Sequence, residues 1–61
     1  MIKMYVKTTT DLDRKVIDVI LVVNNLYCWI KEFNEHEREE ANALAQSIAT
    51  RFSIEFEGTA R

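Results

Sequence analysis

The chain has no proline and, in 61 residues, only one glycine, one cysteine, one histidine and one tryptophan. Each scarcity excludes something. A lone cysteine, Cys28, cannot close a disulfide within the chain, and a free thiol suits a reducing cytoplasm. With Gly58 as the only glycine, there is no glycine-rich loop to cradle a phosphate. The lack of proline and glycine also argues against flexible linkers, so residues 1–61 read as a single domain. No apolar run is longer than the five residues of Val19–Val23, against the ~18 that a membrane-spanning helix needs. Lys3 and Lys7 interrupt any leader-like segment. The expectation is a complete, short cytoplasmic protein.

What is present is ordinary in amount and uneven in arrangement. A hydrophobic share of 48% is typical of a folded domain. A chain of this size, however, buries only about 60% of the surface its unfolded form exposes. Domains this small often need a staple or a partner. The net charge of −2 conceals a split. Residues 1–31 carry five basic and three acidic groups, and residues 32–61 carry three basic and seven acidic ones. Most of that acidity falls where a solvated helix face is expected.

Ile2–Lys7 alternates, with Ile2, Met4 and Val6 on one side and Lys3, Tyr5 and Lys7 on the other, the pattern of a half-buried strand. Thr8–Asp13 is polar and reads as a connecting loop. Arg14–Val23 is dense in β-branched residues, and Leu26–Phe33 adds Tyr27, Trp29 and Phe33; both compositions favour strands. Asn34 followed by Glu37 is a capping-box pattern. It opens a helix whose Ala41, Leu44, Ala45, Ile48 and Phe52 lie on one face. Ser53–Glu57 alternates again, with Ile54 and Phe56 inward. The fold class is therefore α+β: a small β-β-β-α-β domain, its sheet mainly antiparallel in the order 4-1-2-3, with one helix on one face. A second pattern competes. Leu12, Val16, Val19, Val23, Leu26, Ile30 and Phe33 are spaced as a heptad stripe, and the alternative fold they imply is β-α-α-β.

A two-residue turn at Asn24-Asn25 pairs Val23 with Leu26, Leu21 with Cys28 and Val19 with Ile30 on one side of the sheet. On the other side lie Val22 with Tyr27, Ile20 with Trp29, Asp18 with Lys31 and Val16 with Phe33. The helix can lid only the first set. The second set, Val16, Ile20, Val22, Tyr27, Trp29 and Phe33, forms an apolar patch that Tyr5 extends and Lys3, Lys7 and Lys31 rim. It is left for a protein partner, for a second copy of the chain, or for the Thr8–Asp13 loop or the Gly58–Arg61 tail. Aromatic residues are common anchors of protein interfaces. Nucleic acid is disfavoured, because Asp18, Glu55 and Glu57 share that face and nucleic-acid-binding domains are usually clearly basic.

No catalytic constellation emerges. His36 falls in the first helical turn among glutamates, and Cys28 reads as a small apolar core residue. Ser47 and Ser53 have no base nearby in sequence, and Glu35, Glu37, Glu39 and Glu40 lie on a wet helical surface. No cofactor or metal ion is expected, and the chain reads as a non-enzyme.

The stretches ILVVNNLYCWIKEFN (residues 20–34) and FSIEFEG (residues 52–58), in a strand-strand-strand-helix-strand layout, resemble small bacteriophage-encoded inhibitors. In layout the chain is most similar to the antitoxins with which T-even phages block bacterial RNase toxins. That resemblance implies an inhibitor acting in the host cytoplasm by direct contact with a toxin ribonuclease or another host protein. It transfers no individual binding residue.

Overall fold

Asn24 and Asn25 both adopt positive φ, 50° and 72°. A two-residue type I′ turn requires this backbone, and asparagine tolerates it better than most residues. In the computed structural model, which describes residues 2–59 and the side chains of residues 2–57, this turn joins β2 (Val16–Val23) to β3 (Leu26–Asn34). The turn is also tied to the start of the first strand. The Asn24 N–H donates to the Lys3 carbonyl at 2.8 Å, and the Lys3 N–H donates to Asn24 Oδ1 at 2.9 Å. Residues 16–34 are thus extended apart from the turn, and the heptad alternative is not realised. Its stripe left Ile17, Ile20, Leu21 and Trp29 unaccounted for, and β-branched density favoured the pleated arrangement.

β1 runs from Met4 to Asp11, four residues past the expected end at Lys7. Thr8–Asp11 pairs with Val16–Val19 instead of forming a loop, because threonine is a strand former when a partner strand is available. The turn that follows is closed by Asp11, whose Oδ1 accepts from the N–H groups of Asp13 and Arg14 at 3.0 and 3.2 Å.

Asn34 ends β3 and starts the helix as its sequence pattern indicates. Its side chain accepts from the His36 N–H, and its own N–H donates to Glu37 Oε1, both at 2.9 Å. A 3₁₀ turn over Glu35–Glu37 leads into α1 (Arg38–Phe52). Ser53, at φ 55°, ends it in a left-handed conformation. β4 (Glu55–Thr59) then lies parallel to β1. The sheet order is β3-β2-β1-β4, the expected 4-1-2-3, and the helix crosses one face.

Val6, Ile17, Val19 and Phe33 form the floor of the core and Ala41, Ala45 and Ala49 its roof, with Leu44, Ile48, Ile54 and Phe56 partly buried around them. Three alanines on the contact stripe let the helix backbone approach the sheet closely. The helix starts beyond the end of β3 and must reach Glu55, which pairs with Tyr5 near the opposite end of the sheet. It therefore crosses on a diagonal, leaving the hairpin-turn corner uncovered. Leu26, Cys28 and Ile30, expected beneath the helix, are exposed for this reason, as is Phe52 in the last helical turn.

The main correction concerns the second half of β3. The register follows expectation from Val23–Leu26 to Ile20–Trp29, then slips by one residue: Val19 pairs with Lys31, Asp18 with Glu32, Ile17 with Phe33 and Val16 with Asn34. Ile30 is the extra residue of a β-bulge. Beyond it every side chain changes face. Phe33 is carried from the open face into the core, where it is 8% exposed. Lys31 moves with it, its ammonium 4.9 Å from the Phe33 ring centroid.

Candidate partner-binding face

On the side away from the helix, pairing lays the side chains of the four strands in rows. Glu55, Tyr5, Val22 and Tyr27 form one row; Glu57, Lys7, Ile20 and Trp29 form the next. Thr9, Asp18 and Glu32 form a third, and Asp11, Val16 and Asn34 the last. Of the eight residues expected to bind a partner, the structure brings six to this face: Tyr5, Val16, Ile20, Val22, Tyr27 and Trp29. Phe33 and Lys31 are not among them, because of the bulge at Ile30.

The six differ in what they offer. Val22 is 1% exposed and Ile20 is also buried, so these two are floor rather than contact surface. Tyr5 and Val16 are half-buried. Trp29 and Tyr27, on the edge strand β3, stand up with 69% and 62% of their surface in solvent. Neither the Thr8–Asp13 segment nor any other described segment lids them, and the tail from residue 60 onward lies outside the described residues. An indole and a phenol held by two χ angles on a strand are rigid, large and amphipathic, which suits an interface anchor.

Polar groups that sequence patterning undervalued surround this pair. Lys7 sits in the middle of the face with its ammonium 4.6 Å from the Tyr27 ring centroid and 3.4 Å from the Tyr27 hydroxyl. Such a cation–π contact contributes about 0.5–1 kcal/mol where solvent has access. Arg14, from the β1–β2 turn, reaches across to Glu32 at 2.9 Å. Both partners of that pair are well exposed, so it adds only about 0–1 kcal/mol. A shallow cleft of about 330 Å³ opens between Arg14, Trp29, Ile30, Lys31 and Glu32, where the bulge bends β3.

Asp18 is the other polar feature of the face. It is 5% exposed, and its Oδ1 is buried without a hydrogen-bond partner. The regular register would have set Lys31 opposite it; the bulge substitutes Glu32. Within the rows the charge is lopsided: Asp11, Asp18, Glu32, Glu55 and Glu57 against Lys7, with Arg14 at the turn paired to Glu32. A single carboxylate in an otherwise apolar strand is the visible sequence signal for this feature, and the missing information is the position of the bulge.

Among the described residues, no His, Cys, Asp and Glu side chains converge in a group that could hold a metal ion, and no helix is long and apolar enough to cross a membrane. Cys28 and His36 are both exposed and stand apart from the rows described above. Comparison of the chain with protein-family models, with curated proteins and with solved structures finds no match.

Proposed function

We propose that the chain is a small, non-enzymatic protein-binding module that docks a partner protein on the open sheet face, with Trp29 and Tyr27 as anchors. The observation that carries this reading is the exposure of these two aromatic side chains over a floor of buried Ile20 and Val22. Large apolar rings held rigidly in water gain most by being covered. The layout resemblance to phage-encoded inhibitors suggests a specific form of the proposal. In that form the partner is a bacterial toxin ribonuclease or another host protein, blocked by occupancy in the host cytoplasm. The excess of carboxylates on the face works against both alternatives. Phosphate backbones would be repelled, and a second copy stacked face to face would oppose like charges.

The test is affinity capture from host extract with the wild-type chain and with Trp29→Ala, read by quantitative mass spectrometry beside a thermal melt of each protein. Truncating an anchor residue costs a complex about 2 kcal/mol or more, so a true partner should be depleted roughly 30-fold. The melting temperature should stay close to wild type. Unchanged capture, or a melt that collapses with the indole, contradicts the proposal.

A further inference from the structure

We infer that the free edge of β3 pairs with the same edge of a second copy of the chain, antiparallel and centred on Cys28, so that two four-stranded sheets join into one. This goes beyond the docking role proposed above and does not rest on it. Docking uses the face of the sheet, whereas edge pairing runs in its plane and leaves the face open. Among the described residues, β3 ends the sheet on one side and β4 on the other. Sheet edges are usually blunted by charge, bulges or brevity, because their unpaired backbone groups invite another strand. β4 is five residues long and carries Glu55 and Glu57. The second half of β3 has the bulge at Ile30, then Lys31 and Glu32. Leu26–Trp29 has no such device. It holds no charge, and its side chains are exposed on both faces of the sheet. Leu26 and Cys28 stand on the helix side, at the corner that the helix leaves uncovered, and Tyr27 and Trp29 stand on the other.

Backbone alternation fixes the register. The two-residue turn makes Val23–Leu26 the first hydrogen-bonded pair of the hairpin, and such pairs alternate along an antiparallel ladder. Leu21–Cys28 is the next one, so Val22–Tyr27 and Ile20–Trp29 are non-hydrogen-bonded pairs. The backbone N–H and C=O groups of Tyr27 and Trp29 therefore point away from β2. An antiparallel copy satisfies all of them when Tyr27 meets the second copy's Trp29 and Trp29 meets its Tyr27. Cys28 then faces its own counterpart across the two-fold axis, the Cα atoms about 4.5 Å apart, and Leu26 faces Ile30. Like charges do not meet in this register, because Lys31 and Glu32 fall beside the Asn24-Asn25 turn of the second copy. Five paired residues span roughly 17 Å and bury less than the roughly 1,200 Å² of a stable complex. Association is accordingly weak: the chain is a monomer at low micromolar concentration and pairs only when concentrated or tethered.

The test uses the full chain, isotope-labelled for amide NMR and kept reduced, from about 20 µM to about 2 mM, the range in which so small a contact forms. The amide resonances of Tyr27, Cys28 and Trp29 should move with concentration, and those of Glu55 and Glu57 should not. Cys28→Ser should keep these shifts. Cys28→Lys, which sets two ammonium groups directly opposite each other, should abolish them. A second measurement traps the wild-type pair with diamide, which takes up the two protons and two electrons that two Cys28 thiols release as they form a disulfide. In that tethered dimer, at low micromolar concentration, the Tyr27 and Trp29 amides should exchange with solvent at least about tenfold more slowly than in the reduced monomer. Three results overturn the pairing: no shifts at the highest concentration, shifts that persist in Cys28→Lys, or a tethered dimer whose Tyr27 and Trp29 amides exchange as in the monomer. Shifts centred on Tyr5 and Lys7 would report stacking of faces and overturn it as well. Failure of the docking role is read separately, from unchanged capture by Trp29→Ala.

Discussion

Phe33→Ala should cost the domain about 3–5 kcal/mol of stability, although four residues away Trp29→Ala should hardly affect it. Phe33 is 8% exposed and packs with Val6, Ile17 and Val19 beneath the three alanines of the helix. Truncating a core phenylalanine typically costs 3–5 kcal/mol, the sum of lost transfer energy and an unfilled cavity. A chain of 61 residues has a total stability of roughly 3–9 kcal/mol, so this one substitution removes a third of it or all of it. The small core has no spare aromatic residue to fill the space, and Phe56 is already packed against the cluster. Urea titration followed by circular dichroism reads the effect directly. A Phe33→Ala protein with a wild-type midpoint would place the ring on the open face after all.

Deleting Glu32 should make the protein more stable, an unusual outcome for a one-residue deletion within a strand. Between the Trp29–Ile20 and Phe33–Ile17 pairs, β3 carries three residues where β2 carries two. Removing Glu32 equalises them and lets the pleat run without a bulge. Ile30 would then face Val19 and turn toward the helix side, while Phe33 keeps its place in the core. Lys31 would stand opposite Asp18, giving the buried carboxylate the countercharge it lacks. Relieving an unpaired buried polar group is worth about 1–3 kcal/mol. The lost Arg14–Glu32 pair, exposed at both ends, subtracts about 0–1 kcal/mol. The melting temperature should therefore rise by several degrees, since a domain of this size gains roughly 4–8 °C per kcal/mol. A lower melting temperature would mean that the bulge contributes to folding rather than opposing it.

These two predictions also mark where the amino-acid sequence was legible and where it was not. Order and direction of the elements could be read locally. The Asn24-Asn25 turn, the Asn34–Glu37 capping box and the alanine stripe each act through neighbouring residues, and each appears in the structure where its pattern places it. Counting outward from the turn gave the right faces as far as Trp29. It failed beyond, because a bulge is a compromise between distant groups. Nothing within Trp29–Phe33 shows that Phe33 gains more beneath Ala41 and Ala45 than Ile30 loses by leaving the pleat. Thr8–Thr10 is strand rather than the loop its polarity suggests for a related reason: a threonine run is polar enough for a loop until a neighbouring strand offers it hydrogen bonds. Exposure of Leu26 and Cys28 depends on the diagonal of the helix, which is set by where β4 must begin.

For the candidate site, the sequence placed six of its eight candidate residues on the open face, Tyr27 and Trp29, the two that stand out into solvent, among them. It also grouped with them one residue that builds the core and one lysine that serves the other side. Asp18 is legible as a face residue, but the regular register pairs it with Lys31, so the same bulge hides its isolation.

The claim on which the functional reading depends is that the Trp29 indole lies in solvent, uncovered by its own chain. Trp29 is the only tryptophan, so fluorescence reports on it without ambiguity. Acrylamide quenching of the isolated protein at low micromolar concentration should approach the efficiency seen for free tryptophan, with an emission maximum typical of indole in water and no change on further dilution. A blue-shifted emission with strongly reduced quenching would contradict the account, since the indole would then already be covered by the chain or by a second copy.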